Sequence, residues 1–157
     1  MADPAPELAT PPEAARAAAP DPELVLRVAT AVARSLDRND FIGAADWIAS
    51  HCIYEVRGEP IVGSAPILAS YADSATWAQQ QFDEVRYESD VGRPEGDTVP
   101  VLYTDYLMKV PGQWHRHQCR QHLTVGAEGR VVRILHEDLP GEMESLEAYF
   151  KECGIER

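Results

Sequence analysis

Residues 98–138 read TVPVLYTDYLMKVPGQWHRHQCRQHLTVGAEGRVVRILHED, and this stretch decides the fold class. Three strand-like segments, about 98–110, 114–125 and 130–138, are separated only by Pro111-Gly112 and by Gly126-Ala127-Glu128-Gly129. Connections this short between long segments make an antiparallel meander. A fourth strand, about 82–91, precedes them across Gly92–Asp97. Alternation sorts the third strand by face. His115, His117, Cys119, Gln121, Leu123 and Val125 end apolar and belong inside; Trp114, Arg116, Gln118, Arg120, His122 and Thr124 belong outside. On the last strand Val132, Ile134, His136 and Asp138 share the inner face, with Arg133 and Glu137 opposite.

Upstream of the meander the pattern turns helical. Asp21-Pro22-Glu23 is a helix start, with a capping carboxylate, a proline suited to the first position and an acid at the positive helix end. Leu24, Val28, Ala31, Val32, Ser35 and Leu36 follow at helical spacing. Asp37-Arg38-Asn39-Asp40 breaks that helix, and Asp40 caps a second carrying Phe41, Ala44, Ala45, Trp47 and Ile48. Residues 52–57 alternate as a strand, with Cys52, Tyr54 and Val56 on one face and Glu55 and Arg57 on the other. Gly58 to Gly63 is a turn, and a third helix runs from Ser64, its cap, to about Gln81. Downstream, Met143, Leu146, Tyr149, Phe150 and Cys153 form the stripe of an amphipathic helix that Gly154 stops. The element order makes an α+β domain over residues 21–157. Residues 1–20, with Pro4, Pro6, Pro11, Pro12 and Pro20, are too poor in apolar periodicity to offset their ordering entropy and read as a disordered tail.

Composition narrows the partners. The 157 residues carry a net charge of −12, which disfavours nucleic acid and anionic membrane surfaces alike. No apolar run approaches the ~18 residues of a membrane span, and no basic-then-apolar leader opens the chain, so the expected location is the cytoplasm. Cys52, Cys119 and Cys153 are an odd set without a CxxC pair, which is neither a disulfide framework nor a zinc knuckle.

The order helix, helix, strand, helix, four antiparallel strands resembles the nuclear transport factor 2-like superfamily, in its SnoaL-like and scytalone dehydratase-like branch. The Leu36–Asp40 break followed by Trp47, the Tyr54–Gly63 strand and turn, and the Trp114–Pro140 hairpin carry the resemblance, which spans about 22–140. It implies a cone-shaped, curved antiparallel sheet wrapped around the N-terminal helices, one interior pocket and a homodimer. Members include ketosteroid isomerases, dehydratases, polyketide cyclases and non-catalytic binders. The ketosteroid isomerase pattern does not carry over, because its tyrosine, base and oxyanion-hole acid fall on Val32, Val56 and Gln121. The dehydratase pattern matches at Asp37, His117 and Asp138 and departs at Leu36 and Arg86.

Simple hairpin registers make the site explicit. Pairing Val125 with Arg130 sets His117 opposite Asp138, and pairing Val110 with Gln113 sets Tyr106 opposite His117. Tyr106, His117 and Asp138 then form one row across three strands, with opposed Cβ atoms ~4.5–5.5 Å apart. An acid beside a histidine fixes its tautomer and raises its basicity, so His117 is the expected base, Asp138 or Asp37 its orienter and Tyr106 the polariser. Tyr54, Thr104, Met108, His115, Cys119, Gln121 and His136 are the expected pocket lining. The HxH of His115 and His117, with His136, also fits a metal, but no glutamate follows at cupin-like spacing, so neither metal nor cofactor is expected. Two readings follow. One is a cofactor-independent lyase or isomerase, of dehydratase or cyclase type, acting by His-centred acid/base catalysis on a small apolar hydroxylated or carbonyl compound. The other is a non-catalytic module that binds such a ligand.

Overall fold

The computed structural model describes residues 20–156, so the expected tail lies, Pro20 apart, outside the described residues. Helix α1 spans Pro22–Asp37, and the Asp21 side chain caps it by accepting from the Leu24 amide at 2.9 Å. Its inward stripe of Val25, Val28, Ala29, Val32, Ala33 and Leu36 is buried. Asn39 takes a left-handed conformation, φ 56°, and reverses the chain. Helix α2, Phe41–Ala45, is shorter than the periodicity suggests. Asp40 caps it as expected, accepting from the Gly43 amide at 2.9 Å. Trp47 and Ile48 leave it because the sheet competes for their backbone: the Val131 amide donates to the Trp47 carbonyl at 2.8 Å, and Ile48 opens strand β1, Ile48–Val56.

The segment expected as a turn holds a strand of its own, β2, Glu59–Val62. Val56 pairs with Glu59 across Arg57-Gly58, both at positive φ (50° and 82°), the combination a tight two-residue hairpin requires. Pro60 lacks an amide proton and is tolerated because β2 is an edge strand. Helix α3 spans Ser64–Gln81 as read, but its cap is Gly63, with no side-chain cap bond from Ser64. Strands β3 (Glu84–Val91), β4 (Thr98–Val110), β5 (Gln113–Val125) and β6 (Val131–Asp138) follow, then helix α4 (Glu142–Glu152), with Gly154 beyond it at φ 71°.

The sheet order is β2-β1-β6-β5-β4-β3. Residues 84–138 form the expected meander, but the sheet is mixed rather than antiparallel. Strand β1 lies parallel to β6, with Tyr54 beside Ile134. Local alternation carries no information about such a distant pairing. The curved, unclosed sheet packs its inner face on α1 and α3, and Cys52, Ile67, Val99, Val101, Leu123 and Ile134 are fully buried between them. Among the described residues no helix is long and apolar enough to cross a membrane.

Two irregularities set the registers. In the β4–β5 hairpin Val110 pairs with Gln113 as expected, but Met108 pairs with Trp114, so Lys109 is an extra residue on β4. This bulge shifts β4 by one residue relative to β5. In the β5–β6 hairpin Thr124 pairs with Arg133 but Val125 with Val131, which makes Val132 the extra residue. There the net offset from the expected register is two, so the faces of β6 are kept and only its partners change.

Candidate active site

One cavity of about 370 Å3 opens between the inner sheet face, α1, α3 and α4. Its apolar end is built by Trp77 and Ala78 from α3, Phe82 just beyond it, Leu107 from β4, and Leu146 and Phe150 from α4. Phe150 meets Trp77 edge-on at 5.5 Å between ring centroids and lies 5.9 Å from Phe82. Its polar end is lined by Asp37, Tyr54, Tyr71, Tyr87, Tyr103, Asp105, His117, Cys119, Gln121 and His136.

The bulge at Lys109 decides which β4 side chains enter this wall. Asp105 pairs with His117 and Tyr103 with Cys119, so Tyr103, Asp105 and Leu107 face inward. Tyr106, Thr104 and Met108, expected inside, stand on the outer face, since a slip of one residue exchanges every side chain between faces. Tyr106 donates to Glu88 at 3.3 Å, Thr104 accepts from Gln118 at 3.0 Å, and the Met108 sulfur accepts from the Gly112 amide at 3.2 Å. The expected row Tyr106–His117–Asp138 therefore does not form. The signal for the true phase in the sequence is weak: Val99 and Val101 share a parity with Leu107, but Asp105 interrupts that set, and Leu102 and Met108 lie on the other.

The inner assignment of β5 holds, and His117, Cys119 and Gln121 all line the cavity. His115 shares their face, but Tyr149 of α4 stacks over its ring at 4.6 Å and shuts it off from the cavity. Asp138 pairs with Cys119 rather than His117 and stands at the rim. There it accepts from Arg57 Nε at 2.9 Å and Nη2 at 2.8 Å, and it contacts His136 Nε2 at 2.8 Å. The left-handed turn at Arg57 brings its side chain round to this position, whereas strand alternation put it on the outer face. The expected acid within hydrogen-bond reach of His117 is absent among the described residues. The nearest carboxylate oxygen is Glu142 Oε1, 3.9 Å from Nδ1, and it already accepts from the Gln118 amide at 2.6 Å.

Asp37 reaches the cavity from the end of α1. Its Oδ2 accepts from the Ser89 hydroxyl at 2.6 Å, with Arg34 Nη1 at 3.6 Å. Its Oδ1 is buried and, with Tyr103 Oη and His117 Nδ1, has no partner among the described residues. Buried polar groups are nearly always satisfied, so three orphans around one cavity mark where a bound molecule or solvent completes the bonding. Burial, reinforced by the negative charge of Asp37, pushes the Asp105 carboxyl up to about 7. Burial pulls the His117 imidazole below its ordinary value, against the opposing attraction of Glu142. For Asp138 burial acts upward, but hydrogen bonds from His136 and Arg57 outweigh it and hold the carboxyl below the usual range.

Across the cavity Gln121 is the hub of a second cluster. Its Oε1 accepts from Tyr71 at 2.7 Å, and its Nε2 lies 3.1 Å from Tyr54 Oη and 3.3 Å from His136 Nδ1. The Tyr54 and Tyr71 rings stack at 5.5 Å. Cys119 sits between the clusters. Burial and the negative charges of Asp105 and Asp138 push its thiol up to about 12, and burial takes Cys52 to about 11. Only the thiolate is reactive. Both thiols should therefore resist iodoacetamide at pH 8 in the folded protein and react once urea unfolds it. Mass spectrometry of the alkylated peptides reads this directly, and rapid native labelling of Cys119 would contradict the site as described. Among the described residues no three His, Cys, Asp or Glu side chains converge to hold a metal ion.

No protein-family model matches this chain, and no curated protein matches it in sequence. Solved structures do match in shape. A LEH-like epoxide hydrolase of M. tuberculosis is 18% identical with a TM-score of 0.59, over 86% of this chain and 94% of that one. A candidate polyketide cyclase of Xanthomonas campestris pv. campestris is 16% identical with a TM-score of 0.59, over 84% and 98%. TerC, co-crystallised with polyporic acid, is 13% identical with a TM-score of 0.60, over 83% and 98%. These likenesses show the fold: the chain has the SnoaL-like, nuclear transport factor 2-like fold that its order of elements suggested.

Proposed function

We propose that this protein is a cofactor-independent lyase or isomerase, of dehydratase or cyclase type, that moves a proton on a small, largely apolar hydroxylated or carbonyl compound. The observation that carries the reading is the cross-strand pair Asp105 and His117 in the wall of one cavity, where burial favours the proton on Asp105 and disfavours one on His117. His117, lowered by burial, is a neutral base near pH 7, and Asp105, raised to about 7, can still hold a proton there. Two titratable groups whose environments set them apart in this way are suited to acid and base roles. Burial, helped by the charge of Asp37, keeps the Asp105 proton in place, and the unpartnered Tyr103 hydroxyl lines the same cavity. His117 thus keeps the role expected from sequence, and Asp105 takes the place expected of Asp138. The structural neighbours, an epoxide hydrolase and a candidate polyketide cyclase among them, support proton chemistry in this fold. Action in the cytoplasm and pairing of two copies over the outer sheet face, where Ile53 and Leu135 stand exposed on neighbouring strands, belong to the same proposal.

Incubation in D2O with a panel of β-hydroxy ketones and cyclic enones tests it. Wild type should speed deuterium incorporation beside the carbonyl, or loss of water, and His117→Ala should cut that rate by ~10²–10⁴. Compounds that bind in the cavity but exchange at the solvent rate would make the protein a binding module.

A further inference from the structure

We propose that the Arg57–Asp138 pair at the rim fixes the direction of the hydrogen bonds inside the cavity, so that Tyr54 is the hydroxyl that donates to a carbonyl-type oxygen of the ligand. The inference deepens the reading above and rests on it only for the ligand being an oxygen compound.

One group at the rim cannot change its role. A guanidinium only donates, and Arg57 gives two hydrogen bonds to Asp138. An ionised carboxylate only accepts, so the 2.8 Å contact from Asp138 Oδ1 to His136 requires a proton on Nε2. In the neutral ring Nδ1 is then an acceptor, and the atom facing it at 3.3 Å must donate. That atom is the Gln121 amide nitrogen, which settles the orientation of the amide. Its oxygen is left for Tyr71, whose hydroxyl donates to it at 2.7 Å, and its other proton goes to the Tyr54 oxygen at 3.1 Å. Each link follows from the one before, from the rim to the cavity wall.

The two tyrosines, alike in type and stacked on each other, thereby become different. The Tyr71 proton is committed to Gln121. Tyr54 has accepted, and its own proton is left for the neighbouring Tyr71 oxygen or for a molecule in the cavity. A carbonyl or enolate oxygen takes that proton well. An ammonium or another donor is received only if Tyr54 turns its proton onto the Tyr71 oxygen. Arg57, Asp138, His136 and Gln121 are positioning residues here, and Tyr54 is the one that touches ligand.

The test uses acetophenone labelled with 13C at its carbonyl, and ethylbenzene as its oxygen-free counterpart. In wild type the carbonyl resonance should move downfield on binding, the signature of a donated hydrogen bond. Tyr54→Phe should abolish the shift and weaken acetophenone by about tenfold while leaving ethylbenzene unchanged. Gln121→Glu should do the same with both tyrosines in place, because a carboxylate accepts from both and frees neither. Nitrogen-15 spectra of the neutral His136 ring should show its proton on Nε2. Acetophenone that fails to bind, binds with an unshifted carbonyl, or keeps its shift in Gln121→Glu would overturn the inference, as would a His136 proton on Nδ1. Binding through Tyr54 without deuterium exchange by wild type would leave the polarity standing and remove the lyase or isomerase reading. Exchange with binding indifferent to Tyr54 would do the reverse.

Discussion

Asp105→Asn should lower turnover by ~10²–10⁴ and at the same time make the protein more stable at pH 8 than wild type. The first effect follows from removing the acid of the proposed pair. The rate of wild type should fall as pH rises through about 7, where Asp105 loses its proton, and it should fall on the acid side as His117 gains one. The second effect is linkage. The folded-state value of Asp105 lies above its ordinary value of 3.8, so the folded protein holds the proton more tightly than the unfolded chain. Wild-type stability from this group is full below pH ~4, declines as the unfolded chain ionises first, and levels off above about 7. The slope is at most ~1.4 kcal/mol per pH unit for one proton. Asparagine cannot ionise, so the advantage of the variant should grow between pH 4 and 7 and then stay constant. Urea midpoints at pH 4, 6 and 8 measure it. A variant equally stable at all three would mean that Asp105 titrates normally, and the acid role would go with it.

Phe150→Ala should be the most damaging single truncation around the cavity. Phe150 is 5% exposed and joins α4 to α3 through Trp77 and Phe82. Leu146 and Ile155 are its buried companions in that smaller cluster. Truncating a buried phenylalanine costs ~3–5 kcal/mol, from lost transfer energy and from the void left behind. For a protein of this size that is on the order of 10 °C in Tm. Because the ring also lines the cavity, the void joins the ligand space. Phe150→Leu, which keeps most of the volume, should recover most of the loss. A calorimetric midpoint for Phe150→Ala within about 2 °C of wild type would show that α4 is not held by this cluster.

Much of the architecture was legible because local physics dictated it. Asp21 and Asp40 cap helices where a short acceptor precedes a periodic run, and the β5 alternation gave its faces correctly. Three features escaped for physical reasons. The segment between Gly58 and Gly63 reads as a turn, and a strand containing Pro60 is permitted only at a sheet edge, which the local sequence does not reveal. The parallel union of β1 with β6 leaves no trace in either strand alone. The bulge at Lys109 sits beside a Pro-Gly turn that looks like a simple hairpin. That single extra residue hid Asp105 and Tyr103 and promoted Tyr106, Thr104 and Met108 in their place. The displacement of β6 by two residues was gentler. His136 and Asp138 kept their face and changed partners, so Asp138 turned from the expected partner of His117 into the neighbour of Arg57 and His136.

The parallel pairing of β1 with β6 also governs how the site comes into being. Tyr54 and Ile134 are neighbours in space yet far apart along the chain, and the hairpins between them are local. Closing so long a loop is entropically costly until the intervening meander is formed, and chains dominated by distant contacts fold slowly. The hairpins should therefore assemble first and β1 dock onto β6 late. Gln121 and His136 lie on that early meander, and Tyr54 arrives with the last strand. The link between Gln121 and Tyr54 thus reports completed folding: a chain arrested one step short would have its sheet nearly whole and its ligand chamber without a wall.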